Sequence, residues 1–398
     1  MHDVIVVGGG PGGLLTATLL AKEGFDVTVA EEHLVTGEPV HCTGVLAAEA
    51  FDEFDVPREA ILNPLSTARF FSPSGESISH TTATTEALVV DRAVFDRGMQ
   101  ARADAAGAHI THNARVTSVD VLPDSVVVRC ESGQTLRGRV VVLACGANYK
   151  IQRRLGLGMP SVFLRSAQME LPAAHSGDVE VHFGREVAPK GFAWVVPVER
   201  ETGRYARVGL MCDGQASVLF HRFATRVSAR WGLQPQPERS TFATPRQKIL
   251  PLAPIDRTYA DRVLAVGDAA GLVKATTGGG IYYSLVSADA AASVLTDALR
   301  KDQLRASTLH RYEKRWRSRL GSELRAQLSL RTIAQRLDDD EIDGLFELAR
   351  TNGVMPIVRR TARFNHHREL IVSLFKHPPA RRLLFKQLVA RTVAVAVQ

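Results

Sequence analysis

No stretch of this 398-residue sequence holds eighteen uninterrupted apolar residues, so no membrane-spanning helix is expected. The N-terminus, MHDVIVVGGG, lacks the basic region and long apolar core of a secretory leader, because its apolar run ends in glycines after four residues. Cysteine is scarce. The four present, Cys42, Cys130, Cys145 and Cys212, are scattered, with no CxxC pair and no metal-ligand spacing. That pattern argues against a disulfide framework or a zinc site and points to free thiols in a reducing cytosol.

What is there is ordinary in bulk and uneven in detail. Hydrophobic residues at 45% and charged residues at 23% suit a globular chain, and the length calls for two or three domains. The formal charge of +7 is lopsided: residues 301–398 carry 20 Lys and Arg against 10 Asp and Glu, leaving 29 against 32 in the first 300. The basic excess therefore belongs to the C-terminal quarter. Its segments LFELARTNG, PIVRRTARF and ARRLLFKQLVARTVAVAV mix apolar and basic positions. An anionic membrane face is a candidate partner for them, a solvated basic face is the plain alternative, and no nucleic-acid partner is expected.

The N-terminus reads as a dinucleotide site. DVIVV is a short apolar run rich in β-branched residues, typical of a buried parallel strand; GGGPGG follows at once, then LLTATLLAKEG as a helix and FDVTVAEE as the next strand. Gly8, Gly10 and Gly13 occupy the GxGxxG positions, Gly12 lies within the run, and Glu31 follows the last glycine by eighteen residues. Glycines permit the tight turn and the approach of a pyrophosphate to a helix N-terminus, and a carboxylate at the second strand accepts ribose hydroxyls.

RVLAVGDAAGLVKATTGGGIYYSLVSA repeats the strand–turn–helix pattern, with Gly267-Asp268 at the strand end and Gly278–Gly280 opening the helix at Ile281. This spacing resembles the flavoprotein hydroxylase and reductase superfamily. The resemblance implies FAD, with Asp268 on the ribityl chain and Gly267, Gly279, Gly280 and Ile281 near the pyrimidine end of the isoalloxazine. A helix N-terminus there suits the negative charge of reduced flavin. ALVVDRAVFDRGMQARADAAGAHI contains the superfamily's VxRxxFD pattern, which implies that Arg92 lies against FAD; an ion pair at the helix start is the plain reading of the same residue. NARVTSVDV resembles the strand passing the adenine, with Val116 as the implied backbone contact.

PVHCTG (39–44), GFAWVVP (191–197), GDAAGLVKATTGGGI (267–281) and YEKRWRSRLGSELR (312–325) together resemble the geranylgeranyl reductase family. Phe192 stands where that family's motif usually has Tyr, and Val196 where it usually has Phe. The resemblance implies that Cys42 sits beside the flavin ring where substrate arrives, as a candidate catalytic residue, with Thr43 and Gly44 lining the same turn. A buried small hydrophobe is the plain reading of Cys42. Phe192 and Trp194 share a face if the segment is a strand, as a candidate substrate wall, against the plain reading of sheet core. Aromatic faces stabilise the positive charge that develops when an isolated trisubstituted double bond is reduced.

The expected fold is α/β: a Rossmann-like FAD-binding domain of glutathione-reductase type (1–160 and 245–300), an antiparallel substrate domain (161–244) and a helical C-terminal region (301–398). The expected function is FAD-dependent reduction of C=C bonds in an isoprenoid lipid or prenylquinone side chain. The alternatives are an FAD-dependent monooxygenase and a redox-neutral flavoprotein cyclase or isomerase. Related hydroxylases carry an Asp-Gly pair where this chain has Cys145-Gly146, which speaks against hydroxylation. Halogenases carry Trp-x-Trp-x-Ile-Pro, which FAWVVP matches only at the second Trp and the Pro. No second strand-linked GxGxxG offers NAD(P)H its own domain, so ferredoxin, NAD(P)H and reduced flavin all stay open as electron donor. The expected location is cytoplasmic, with peripheral contact to the inner membrane face through the basic helices.

Overall fold

The computed structural model describes residues 1–234, 242–351 and 353–384. Its first sheet has eight strands built around His2–Val7, which lies parallel between Thr135–Leu143 and Val27–Ala30. His109–Thr111 extends the parallel set on one side and Val263–Ala265 on the other. Val4, Ile5 and Val6 are fully buried, because helices cover a parallel sheet and leave no wet face for polar residues. Helix Pro11–Lys22 packs between helices Ile281–Arg300 and Arg92–Ala105. Gly12 and Gly267 make this closeness possible: a Cβ on either would lie 2.3 Å from Ser284 Oγ. The two glycine turns thus meet across one serine.

The second sheet has seven strands, in the order Arg246–Pro251, Phe163–Pro172, Gly203–Cys212, Phe192–Arg200, Val179–His182, Thr67–Phe71 and Ser77–Thr81. All its pairs are antiparallel except Val179–His182 with Thr67–Phe71. It therefore reaches beyond residues 161–244 at both ends, taking in a hairpin from the N-terminal segment and a strand before Pro251. Helix Ala216–Trp231 covers one face, burying Phe220, Phe223, Val227 and Trp231 against Ala193, Val195, Val208 and Leu210. Period-two alternation turns Phe192 and Trp194 to the other face. A small sheet, Val45–Ala47 with Ala87–Val90 and Ile61–Leu65, joins the two larger ones.

After Arg300 the described chain is helical: Ala306–Ala334, Asp339–Thr351, Val354–Thr361 and Arg368–Lys376. The first of these is fastened to the nucleotide-type sheet by Tyr312, whose hydroxyl donates to the Ala265 carbonyl at 2.6 Å, and by Trp316, whose Nε1 donates to Thr258 Oγ1 at 3.0 Å. Among the described residues no helix is long and apolar enough to cross a membrane. The amphipathic segment expected at 380–397 lies mostly outside the described residues.

Candidate active site

A cavity of about 980 Å³ runs between the glycine turns, the free face of the seven-stranded sheet and the C-terminal helices. Gly10, Gly12 and Gly13 border it from the first turn; Asp268, Gly279, Gly280 and Ile281 border it from the second. Gly8, Glu31, Val116 and Gly267 lie outside its lining. Gly8 and Gly267 shape their turns through positive φ, and Glu31 is buried with Oε2 accepting from Gly9 N at 2.6 Å and Oε1 from His33 N at 2.9 Å. Val116 opens a strand and packs its side chain against the first core. None of the four borders the cavity.

Cys42 and Thr43 line the cavity from the loop before strand Val45–Ala47. The loop is held from three sides. Gly44 N donates to Cys42 Sγ at 3.4 Å, Thr43 Oγ1 donates to Gln168 Oε1 at 2.6 Å, and Arg207 Nη1 donates to the carbonyls of Thr43 (2.6 Å) and Val90 (2.8 Å). Arg207 is itself buried and donates from Nε to Glu170 at 2.8 Å. Burial works to raise the Glu170 carboxyl, but Arg200 and Arg207 outweigh it and hold it below the usual range, so the network is ionised. Gly44 has φ +68, and a Cβ there would sit 2.5 Å from Arg207 Nη1, so the loop admits only glycine at this point.

Arg92 opens helix Arg92–Ala105 beside this loop and lines the cavity. The ion-pair reading is observed directly, since Nη2 donates to Asp96 at 2.8 and 3.0 Å. Burial lowers the guanidinium's proton affinity, while Asp96 and then Cys42 raise it further, and it stays charged. Asp96 belongs to the same VxRxxFD pattern that singled out Arg92, one helical turn on. Asp91, the preceding residue, caps the helix by accepting from Ala93 N and Val94 N.

On the sheet side Trp194 and Phe192 both face the cavity, with ring centroids 5.7 Å apart. Phe183 lies 6.2 Å from Phe192, and Phe346 of helix Asp339–Thr351 lies 6.1 Å from Phe183. Val179, Val181, Leu345 and Ile342 fill the same walls. These apolar side chains and the polar turns line one cavity.

Residues 3–351 match the family model described as lycopene cyclase protein. A digeranylgeranylglycerophospholipid reductase of Methanocaldococcus jannaschii is 31% identical over 367 residues, 87% of this chain and 90% of that one. A second such reductase, from Methanopyrus kandleri, is 30% identical over 373 residues, 90% and 92% of the two chains. The chain belongs to the geranylgeranyl reductase family. A geranylgeranyl bacteriochlorophyll reductase-like protein from Thermoplasma acidophilum has the same fold, with a TM-score of 0.82 at 23% identity over 98% of each chain. The reductase is thus an FAD-dependent oxidoreductase, and its two glycine turns fit that cofactor. Helix Pro11–Lys22 has Gly10 as its N-cap, no side-chain cap and no acid in its first turn. Nothing lies within 4 Å of where a Gly10 Cβ would be, so the helix N-terminus faces open space fit for a pyrophosphate.

The reductase also places in the cavity residues that the motifs did not single out. Lys248 Nζ donates to Asp268 Oδ2 at 3.2 Å, and Asp268 first of all holds the lysine's proton affinity above the ordinary value. Lys274 is buried behind Gly279. Arg331 enters from helix Ala306–Ala334. His41 borders the cavity beside Cys42, its Nδ1 without a partner and its basicity lowered by burial and then by Lys248. Cys145 lies behind the turn, where burial pushes its thiol up to about 11.

Proposed function

We propose that this reductase saturates carbon–carbon double bonds in the isoprenoid chain of a membrane lipid. The observation that carries the reading is the chain of ring contacts Trp194, Phe192, Phe183 and Phe346, which lines the same cavity as the glycine turns. Such a cavity buries a prenyl chain at about 0.8 kcal/mol per methylene and offers ring faces to developing positive charge. Gly8–Gly13 and Asp268–Ile281 would hold FAD, with Glu31 toward its ribose and Val116 toward its adenine, and the cofactor would supply the hydride.

The chain's own part is to orient the bond, exclude water and deliver the proton. Cys42 is the proposed donor: its Sγ gives a proton to the carbon that does not receive hydride, and solvent returns the proton to the thiol after turnover. Thr43 and Gly44, pinned by Arg207 and Gln168, fix the thiol's position. Cys42→Ala is expected to keep FAD and bind lipid as before while losing about 100-fold in turnover, the lower range for removal of a positioned proton donor. Single-turnover reoxidation of the reduced flavin measures it; an unchanged rate would reduce Cys42 to a packing residue.

The family reading is tested by reducing the FAD-loaded protein chemically without oxygen and mixing it with prenyl lipids and prenylquinones. Flavin reoxidation together with a gain of two hydrogens on a prenyl chain is the expected result. The match to the lycopene cyclase model favours one second reading, a redox-neutral rearrangement of an isoprenoid. It predicts a product of unchanged mass while the flavin stays reduced.

Such a lipid must come from a membrane. Arg359, Arg360, Arg368, Arg381 and Arg382 are exposed on the C-terminal helical region, whose Phe364 borders the cavity. We read this face as a peripheral contact with anionic headgroups. Co-sedimentation with anionic but not zwitterionic vesicles, abolished by 1 M salt (a Debye length of about 3 Å), is the expected behaviour. Equal binding to both vesicle types would contradict it.

A further inference from the structure

One cation in the cavity wall has no counter-charge among the described residues. Arg331, on the last turn of helix Ala306–Ala334, is 9% exposed and lines the cavity between apolar Leu330 and Ala334. Its guanidinium makes a long 3.4 Å donation from Nη2 to the Lys190 carbonyl. Among the described residues no carboxylate lies within ion-pair distance of it. Burial alone acts on the guanidinium, pushing it down to about 10, so it remains charged at neutral pH.

A buried unpaired charge costs several kcal/mol, which a protein carries where a ligand supplies the opposite charge. The neighbourhood fits that reading. Arg185 and Lys190, on the turn leading into strand Phe192–Arg200, border the same cavity and are exposed, as are Ala334 and Gln335. Arg331, bonded to the Lys190 carbonyl, is thus a buried cation next to exposed lining residues, two of them cationic. Lys190 Nζ is shared with Asp213 at 2.6 Å, and the Arg185 amide is tied to Asp339 Oδ1 at 3.0 Å. Of the three, Arg331 is the one that is both buried and without an acidic neighbour.

We infer that Arg331, aided by Arg185, binds a phosphate-type anion at the charged end of the isoprenoid substrate. This rests on the prenyl reading above and adds an orientation to it. The anion stays at Arg331, and the apolar chain runs along Phe183, Phe192 and Trp194 toward the glycine turns. A guanidinium suits this task because its fork of donors matches phosphate oxygens two at a time.

The test is equilibrium binding to the oxidised, FAD-loaded protein, which needs no turnover. The probes are geranylgeranyl monophosphate, geranylgeraniol and inorganic phosphate. Wild-type protein is expected to bind the monophosphate about 10- to 100-fold more tightly than the alcohol, the range for hydrogen bonds to a charged group. Arg331→Met is expected to erase most of that preference while leaving the alcohol's affinity in place, and Arg331→Lys to retain part of it. Inorganic phosphate is expected to compete with the monophosphate only weakly. Equal wild-type affinity for ester and alcohol would overturn the inference alone, as would an Arg331→Met loss shared equally by both, which marks a packing role. Tight phosphate binding that leaves the monophosphate undisplaced would overturn it too. Failure of either prenyl compound to bind, with phosphate binding still dependent on Arg331, would remove the prenyl reading and the substrate assignment together.

Discussion

Gly13→Ala is expected to yield a protein almost free of flavin. A Cβ at this position would lie 2.1 Å from the Gly8 carbonyl oxygen, 3.1 Å from Ala144 Cβ and 3.2 Å from Val6 Cγ1. None of these can move alone: Gly8 forms the turn, and Ala144 and Val6 belong to the first sheet and the turn at its edge. Relief requires helix Pro11–Lys22 to lift away, which misplaces the amides that would meet the pyrophosphate. Overpacking of this kind costs about 1–3 kcal/mol in a core, and more where backbone is the obstacle. Gly10→Ala makes the useful contrast, because nothing lies within 4 Å of its added methyl. That variant should fold and melt like the parent yet hold FAD at least about tenfold more weakly, since the methyl fills space the ligand needs. Flavin-to-protein ratio after gel filtration and the melting curve separate the two effects. Full flavin occupancy in Gly13→Ala would mean that the turn is not the cofactor cradle.

This contrast also shows what was legible in the sequence. The order strand, glycines, helix, strand, acid is local, so the first turn and the second one at Gly267–Ile281 could be read from neighbouring residues. The face shared by Phe192 and Trp194 followed from the two-residue period of a strand. Asp96 was within reach, as the last letter of the pattern that supplied Arg92. Other features depend on contacts no local pattern encodes. Thr67–Phe71 joins the second sheet only by pairing with Val179–His182, more than a hundred residues on. Arg207 reaches the Cys42 loop across 164 positions. Arg331 reads as one more basic residue on a helix that carries many, and only the fold shows that it is buried without an acidic neighbour.

Lys274 is the extreme case, and it carries the other large effect. Its side chain, 3% exposed, crosses from the second glycine turn to the C-terminal segment, where Nζ donates to the Phe364 carbonyl at 3.0 Å and Asn365 Oδ1 at 2.8 Å and lies 4.2 Å from the Phe364 ring centre. Burial pushes its pKa from 10.5 down to about 7, against the upward pull of Glu49 and Glu323. Between those two values the unfolded chain binds a proton that the folded chain does not. Stability from this site therefore rises as pH climbs from about 7 to 10.5 and is lowest below pH 7. Lys274→Met removes the titration, along with two hydrogen bonds that are worth about 1 kcal/mol each. The variant should gain on the parent at pH 6 and fall behind it at pH 10. Across that span the difference in unfolding free energy should change by about 2–4 kcal/mol, at roughly 1.4 kcal/mol for each tenfold change in proton affinity. Melting curves from pH 6 to pH 10 measure the crossing. Parallel curves for the two proteins would mean that Lys274 keeps an ordinary charge in the folded state, with Glu49 and Glu323 neutralising it. A crossing would show instead that the link between the second glycine turn and the C-terminal helices is an amine whose proton affinity burial holds well below that of an ordinary lysine, held by a carbonyl, an amide and an aromatic face.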